Sequence, residues 1–521
     1  MTQMMLILPM LAPSLAALAA AVLGWRRWVA WAAVAASAVV LVVGVVAAVA
    51  TADGTVLVLA GTLRADALTA VMLLVIGGVS VIATWVGVGY IDRELATGET
   101  TAWGARRYQI LVPLFVATMA GAVLASNLGV LWAAVEATTI VTAFLVGHHG
   151  GRRAVEATWK YVIICSVGIA LAYLGTVLVY YASQHAGHAD GSLDWTALIS
   201  RADQLDPGVM RIAVVLLVLG FGTKVGLVPM HSWLPDAHSQ APAPVSALMS
   251  GVLLSVAAYA LLRYRVIAAA ALDPAFLRNL LLVVGIGSVA VAASLMIVQR
   301  DYKRLLAYSS IEHMGLVVIG LAVGTRLAVA ALLLHILGHG MAKAVLFCAS
   351  GEILKEAGTT QMAGVRGLLT RRPVLAGTFG LGIAALLGLP PFSLFASELA
   401  LARAAADEGM VWVVGVALVL LLVVFVAVAR PVAGMLLGSH AAVGGPEVHD
   451  HRTRDDGTHD GARDGAHDFG ARDGGAVLVA MRRPTVPVAP LVAGLVALAA
   501  IGVLVPLDGL LETAAAIVGT R

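Results

Sequence analysis

Two lysines, Lys224 and Lys343, lie deep inside stretches of the chain that are otherwise apolar enough to cross a bilayer. Only five of the 33 basic residues are lysines, and the arginines fall almost entirely between the apolar stretches. Arginine keeps its charge at any physiological pH, whereas a lysine ammonium gives up its proton readily once water is stripped away. Amines at membrane depth therefore indicate that the chain handles protons.

Lys343 shares one face of its predicted helix with two histidines. His335, His339 and Lys343 are spaced at i, i+4 and i+8, which places them on one stripe over about 12 Å of helix rise. An imidazole can take up a proton on one ring nitrogen and release it from the other. A single buried histidine is often only a hydrogen-bonded core residue, but three titratable groups on one face of a helix favour a proton-transfer pathway.

Two carboxylates, Glu136 and Glu398, also lie in apolar stretches, where an ionisable side chain costs about 2.5–3.5 kcal/mol. Glu136 is near the centre of its stretch, so we expect it to need a cation, and Lys224 is the best candidate. The two side chains would either pass a proton between them or form a static ion pair that fixes the register of two helices.

Further polar residues follow Pro229, namely His231, Asp236 and His238. They are placed to load protons where a broken helix meets cytoplasmic water, and a structural turn stabilised by Asp236 is the alternative.

A second polar cluster contains Lys303, Glu312 and His313 and runs from the membrane interface inward. Lys303 has the alternative role of an interfacial anchor, because long basic side chains reach toward the headgroups.

These residues must be positioned by membrane-spanning helices. The chain has 521 residues, of which 60% are hydrophobic and 12% charged, too few charges for a soluble enzyme. The apolar stretches lack the two-residue alternation of barrel strands, so the predicted fold class is an all-α polytopic membrane protein. Windows of about 20 apolar residues predict about fourteen spans, at 4–23, 28–50, 66–90, 109–125, 127–147, 159–181, 209–229, 241–262, 277–299, 303–324, 328–350, 374–402, 410–436 and 485–506.

Prolines interrupt the seventh and twelfth of these spans. Pro229, and Pro390 with Pro391, each free a carbonyl one turn earlier and open the helix. Broken helices in corresponding places, each near an ionisable residue, are typical of inverted-repeat transporters; simple kinks are the alternative. We therefore predict two inverted five-helix repeats with broken helices 7 and 12. The predicted parts are 1–108 (three helices), 109–262 and 263–436 (the two repeats), 437–484 (a cytoplasmic loop) and 485–521 (a last helix).

The distribution of arginine predicts the orientation. Arg26 and Arg27 directly follow the first span, and basic residues are denser in alternate loops, so both termini are predicted outside the cytoplasm. Cys165 and Cys348 lie within spans without CxxC spacing, which argues against iron–sulfur sites. We find no GxGxxG after a strand and no Walker A loop, which argues against nucleotide binding as a primary function. The low-complexity segment 439–475 is either a solvated linker or a histidine-containing metal-binding tract.

Several strings resemble a known family. Phe221–His238 (FGTKVGLVPMHSWLPDAH) and Asp301–Ser310 (DYKRLLAYSS) resemble the antiporter-like subunits of respiratory complex I. Within that superfamily, Trp159–Tyr161, Cys165–Ala170 and Ile311–Gly315 are most similar to component F of hydrogenase-4, which works beside membrane-bound group 4 nickel–iron hydrogenases.

The resemblance implies a proton-translocating subunit that itself carries no redox centre, cofactor or metal. Its partners would be other membrane subunits and, through them, a soluble nickel–iron hydrogenase-like or iron–sulfur arm, with membrane lipid around it and no nucleic acid. The implied location is the plasma membrane of a bacterium or archaeon. The implied proton-carrying residues are Glu136, Lys224, His231, His335, His339, Lys343 and Glu398, with His238, Ser255, Lys303, Glu312 and His313 as auxiliary candidates.

One departure from the family concerns the eighth span. Many relatives have a central lysine there, whereas this chain has Gly251, Ser255 and Tyr259 on one face. Water held beside these residues would have to bridge the path.

Three other functions stay open at this point. The first is a cation/proton antiporter subunit, and the second is the coupling subunit of an inorganic carbon uptake system. The third is a haem- or quinone-binding subunit that uses His335 and His339. Two histidines one turn apart point the same way, however, and cannot hold opposite faces of one haem.

Overall fold

The computed structural model describes residues 2–186, 191–438, 489–503 and 508–519. The segment 439–475 therefore lies outside the described residues. Twenty helices are present in the described part of the chain. They are α1 (Leu8–Leu23), α2 (Arg27–Thr51), α3 (Ala67–Thr97), α4 (Ala102–Leu124), α5 (Leu128–Val146), α6 (Gly151–Gln184), α7 (Trp195–Ile199), α8 (Pro207–Val225), α9 (Trp233–Gln240), α10 (Ala243–Leu248), α11 (Leu254–Ala271), α12 (Pro274–Ile297), α13 (Tyr302–Val323), α14 (Arg326–Ala357), α15 (Leu368–Arg371), α16 (Pro373–Leu386), α17 (Ser393–Asp407), α18 (Val411–Leu437), α19 (Ala489–Val503) and α20 (Asp508–Val518).

Short irregular elements connect some of these helices. A π-helical turn, Met249–Leu253, joins α10 to α11. Three 3₁₀ turns occur at Thr2–Ile7, Ala202–Gln204 and Met362–Gly364. The two described strands, β1 (Leu57–Leu59) and β2 (Leu63–Ala65), form an antiparallel hairpin between α2 and α3.

Side-chain caps fix where many helices begin. Seven of the longer helices follow an Asp, Asn or Thr whose side chain accepts a hydrogen bond from a backbone N–H of the first turn. These caps are Asp66, Thr101, Asn127, Asp206, Asp273, Asp301 and Thr325.

Twelve helices in the described part of the chain are long and apolar enough to cross a membrane. The predicted span 374–402 corresponds to two shorter helices, α16 and α17, and the predicted span 485–506 overlaps the 15-residue α19. The chain is thus an all-α multi-pass membrane protein. Helices α11, α13 and α14 are buried along nearly their whole length and form the centre of the bundle, whereas α18 is mostly exposed at its edge.

The two breaks occur where proline predicts them. Helix α8 ends at Val225 and is followed by Gly226, whose φ of 85° is left-handed; α9 begins at Trp233. Helix α16 ends just before Gly388, with φ of 62°, and α17 follows Pro390 and Pro391. Both glycines start a Gly-Leu-x-Pro sequence. The arrangement in two inverted repeats remains a prediction.

Helix α20 lies at the end of the bundle where α2 ends. The Thr513 hydroxyl donates to the Ala52 carbonyl at 2.7 Å, and Arg265 donates to the Val518 carbonyl at 2.8 Å. The sequence-based prediction places this end outside the cytoplasm, and the opposite end is called the predicted cytoplasmic end below.

Candidate functional site

Lys224 sits in the last turn of α8, immediately before the break, and its side chain is fully buried. The amine reaches α5 and α6, where it donates to the Thr139 hydroxyl at 2.7 Å and to the Tyr161 hydroxyl at 3.2 Å. The ring of Tyr161 is held in turn by Trp233 of α9, in an edge-to-face contact at 5.0 Å. Both sides of the first break therefore position this amine.

Glu136 is half-buried on α5, one turn before Thr139. Its carboxylate accepts a hydrogen bond from the Thr139 hydroxyl at 3.0 Å. Lys224 and Glu136 are therefore linked through one hydroxyl and are not in direct ion-pair contact. Because a hydroxyl both donates and accepts, this link can transmit a change of charge from one group to the other.

His238 is buried on α9 and stacks on Phe347 of α14, with ring centres 5.1 Å apart. Both of its ring nitrogens are buried without a hydrogen-bond partner among the described residues.

Lys303 is only 4% exposed, which disfavours the role of an interfacial anchor. Its amine donates to the Ser239 and Ala241 carbonyls, at 3.3 and 3.2 Å, where α9 ends. A cation is favourable at this negative end of the helix dipole.

His231 and Asp236 lie at the first break and on α9. His231 is half-buried, and burial lowers the pKa of its imidazole below the usual value. Asp236 binds Lys160 of α6, at 3.0 Å, and Arg304 of α13. It therefore ties α9 to two neighbouring helices.

The three titratable residues on one face of α14, His335, His339 and Lys343, are all buried and are called the α14 stripe below. Lys343 donates to the Leu306 carbonyl at 2.7 Å and to the Ser309 hydroxyl, both on α13. One turn earlier, His339 is fully buried, and neither ring nitrogen has a hydrogen-bond partner in the described part of the chain.

His335 joins two helices at the other end of the stripe. Its Nε2 lies 3.0 Å from Nδ1 of His313 on α13, and its Nδ1 lies 3.0 Å from the Ser397 hydroxyl on α17. The ring of His313 is equally close to His339, with ring centres 5.1 Å apart. His313 thus connects the two histidines of the stripe.

Glu312 and Glu398 flank this histidine group. Glu312 is buried, and its carboxylate lies 3.4 Å from Nε2 of His313. Glu398 on α17 brings a carboxylate oxygen within 4.8 Å of a ring nitrogen of both His313 and His335. It also borders a mainly apolar cleft of about 500 Å³ between α13, α17 and α18.

In the middle of the bundle, the polar side chains of α11 do not continue the line of titratable groups. The Ser255 hydroxyl donates to the Gly251 carbonyl of its own helix at 3.3 Å. The Tyr259 hydroxyl donates to the Val123 carbonyl at 2.7 Å and accepts from Arg263, so it belongs to another cluster. Gly251 lies in the π-helical turn, a feature frequent at functional sites, and is backed closely by Gly340 of α14.

The sequence-based prediction missed two buried polar clusters. Arg263 of α11 binds Asp66, the cap of α3, through two hydrogen bonds of 2.7 Å. The second cluster contains Glu94, His148 and His149. The adjacent histidines after the fifth predicted span were a visible signal for the second cluster, whereas neither residue of the first stands out in the sequence.

The family model for NADH:quinone oxidoreductase/Mrp antiporter membrane subunits matches residues 125–425. The chain belongs to this family. The matched region begins before α5 and ends within α18, so it contains Glu136, both breaks and the α14 stripe.

Several curated proteins are similar to part of this chain. The hydrogenase-4 component F homolog of Methylacidiphilum infernorum is 39% identical over 310 residues, which are 59% of this chain and 65% of that protein. Matches to two further curated relatives cover 53% and 50% of their lengths. The chain thus spans between half and two thirds of the length of these relatives.

Two solved structures share the whole fold of this chain. A chain of an archaeal respiratory complex, the membrane-bound sulfane sulfur reductase, is 22% identical, with a TM-score of 0.80 over 99% of this chain and 98% of that one. A chain of respiratory complex I from Thermus thermophilus is 19% identical, with a TM-score of 0.74 over 100% of both chains. The antiporter-like fold of the family is therefore present here.

Proposed function

We propose that this chain is the proton-translocating membrane subunit of a redox-driven complex of the hydrogenase-4, formate hydrogenlyase or NADH-quinone oxidoreductase type. The observation that carries the proposal is the set of titratable side chains buried in the bundle centre. Burying so many ionisable groups in a membrane protein is costly, and such groups mark ion pathways. The redox chemistry would belong to partner subunits, both membrane-embedded and soluble.

The proposed route begins at the predicted cytoplasmic end. A polar cavity of about 640 Å³ there is bordered by Lys160, Asp236 and Ser239. The Ser239 carbonyl accepts from Lys303, so water in this cavity would come close to that amine. Protons would pass from here to His238 and then to the α14 stripe.

The second part of the route uses the histidines. His339, His313 and His335 would carry protons from Lys343 toward Ser397 and Glu398, the proposed release group. The linked Glu136 and Lys224 would act as the switch, because a change in charge on Lys224 alters the field felt by neighbouring groups in a low-dielectric interior.

The test measures proton uptake by inverted membrane vesicles against the rate of electron transfer in the same vesicles. Lys224→Ala and Glu136→Ala should abolish coupled proton uptake while the complex still assembles. Lys224→Arg should fail as well, because a guanidinium keeps its proton. The matched controls are Lys355→Ala and Glu356→Ala. Glu356 forms an exposed ion pair with Arg372. Both variants should take up protons normally.

The outcomes separate this proposal from its alternatives. A normal proton-to-electron ratio in Lys224→Ala would remove that amine from the mechanism. Proton flux that requires sodium, without electron transfer, would favour a cation/proton antiporter subunit. Subunits recovered by gentle purification would identify a redox arm, or the partner of an inorganic carbon uptake system.

A further inference from the structure

We propose that Glu94, His148 and His149 form a binding site for a divalent transition-metal ion of the zinc type. The three residues precede the α14 stripe by more than 180 positions in the sequence. They lie at the predicted cytoplasmic end of the bundle. Glu94 lies near the end of α3, and the two histidines lie in the connection between α5 and α6. The inference concerns binding alone and does not rest on the proposed proton transport.

The donor atoms converge on one point. Nε2 of His149 lies 2.7 Å from one oxygen of Glu94, and Nε2 of His148 lies 3.3 Å from the other. One ligand atom from each residue lies within 4.8 Å of the others. Zinc holds imidazole nitrogens and carboxylate oxygens at about 2.0–2.2 Å, so small side-chain rotations would bring all three donors onto one ion.

The hydrogen bond on the far side of His149 favours a cation at Nε2. Its Nδ1 lies 3.4 Å from the Gln240 carbonyl, and a carbonyl only accepts, so this contact is a hydrogen bond in the tautomer that carries the proton on Nδ1. Nε2 of the neutral ring is then a lone pair that faces a carboxylate at 2.7 Å. In that tautomer, the Nε2 lone pair and the carboxylate are both available to bind one metal ion. A second-shell carbonyl of this kind is typical of histidines that bind metals.

Burial distinguishes this group from a surface ion pair. The Glu94 side chain is fully buried, His148 is nearly so, and His149 is about one third exposed. The polar contacts of the His148 ring, to Glu94 and Thr100, all involve Nε2. The buried residues would hold the ion, and His149 would let it in from water.

The chemistry of the donors selects the class of ion. Two imidazoles and one carboxylate leave a fourth position for water, which is the ligand set of many zinc sites that are not purely structural. Nitrogen donors favour zinc, cobalt, nickel or copper over magnesium and calcium, which prefer oxygen.

The experiment uses Co²⁺ as a visible probe and Zn²⁺ as its competitor, on the full chain purified in detergent. Five histidines of the low-complexity segment 439–475, His440, His449, His451, His459 and His467, are replaced by asparagine in the parent, because they can bind cobalt themselves. We expect one cobalt ion per chain, with the absorption bands of a four-coordinate site, and its displacement by zinc.

The variants Glu94→Gln and His149→Ala should each weaken cobalt binding by more than the roughly 10–100-fold that loss of a second-shell partner costs. His149→Ala guards against a folding defect, because this side chain is partly exposed. The control His185→Ala removes an exposed histidine. The control His335→Ala removes a histidine from the group formed by His313, His335 and Glu398. Both controls should keep the affinity of the parent. Parent-like binding in Glu94→Gln and His149→Ala, or no stoichiometric binding in the parent, would overturn the proposal.

Discussion

At the scale of single residues, Thr139 decides how Lys224 and Glu136 communicate. A direct ion pair would hold both charges in place, and breaking it would leave a buried charge without a partner. In the structure, the hydroxyl accepts from the amine at 2.7 Å and donates to the carboxylate at 3.0 Å. The amine also has Tyr161 as an acceptor. Lys224 can therefore change its protonation state without leaving Glu136 isolated.

This arrangement predicts the effect of Thr139→Val, which keeps the side-chain shape and removes the hydroxyl. A hydrogen bond to a charged group contributes about 1.5–3 kcal/mol, so the rate of proton uptake should fall about ten- to hundred-fold. Thr138→Val is the matched control, because among the described residues the Thr138 hydroxyl bonds only to the Val135 carbonyl of its own helix, at 2.6 Å. The measurement is dye-reported proton uptake in vesicles with assembled complex. Equal losses in both variants would show that the hydroxyl bridge has no specific role.

At the scale of elements, the two broken helices place the ionisable groups. Each break starts at a left-handed glycine, Gly226 or Gly388. Lys224 lies just before the first break, where the amine is aimed into the bundle. Glu398 lies in the helix after the second, and its carboxylate turns back toward Gly388. The two breaks thus present a base and an acid from opposite sides of their glycines.

This geometry predicts a strong effect for Gly388→Ala. An alanine there must adopt a left-handed conformation that costs about 1–2 kcal/mol, and its Cβ would lie 2.4 Å from an oxygen of Glu398. We expect a lower melting temperature and slower proton uptake, because the carboxylate must leave its present position near His313 and His335. Gly377→Ala on α16 is the control, since its Cβ would meet no atom within 4 Å. If Gly388→Ala melted and pumped like Gly377→Ala, the backbone would not be what positions Glu398.

The sequence predicted those features of the elements that depend on local pattern. Proline marked both breaks, and the spacing of His335, His339 and Lys343 indicated one buried face. It could not indicate that His313 of α13 joins the two histidines, because that contact depends on how two helices are rotated against each other. The pair of Asp66 and Arg263, 197 residues apart, is hidden for the same reason. Single polar residues at helix ends are common, and only the packing brings these two together.

At the scale of the whole molecule, the titratable groups form two sets. Glu136, Thr139, Tyr161 and Lys224 lie on α5, α6 and α8, in the first predicted repeat. The α14 stripe and its neighbours on α13 and α17 lie in the second. Helix α9 stands between the sets, since Trp233 contacts Tyr161 and His238 stacks on Phe347. The two sets could therefore work in series, with Lys224 as the switch that controls the path through the α14 stripe, or as two half-paths in parallel.

A double variant distinguishes these arrangements. In a single series path, Lys224→Met or Lys343→Met alone should reduce proton uptake to the background, and the double variant should be no lower, because groups that act as a unit are not additive. In two parallel paths, each single variant would keep about half of the uptake and only the double variant would abolish it. Methionine keeps most of the volume of the lysine stem, and assembly is checked by the yield of the complex. We expect the series result, since α9 links the two sets and Lys224 and Lys343 are both fully buried. Half-activity in both single variants would exclude the series path.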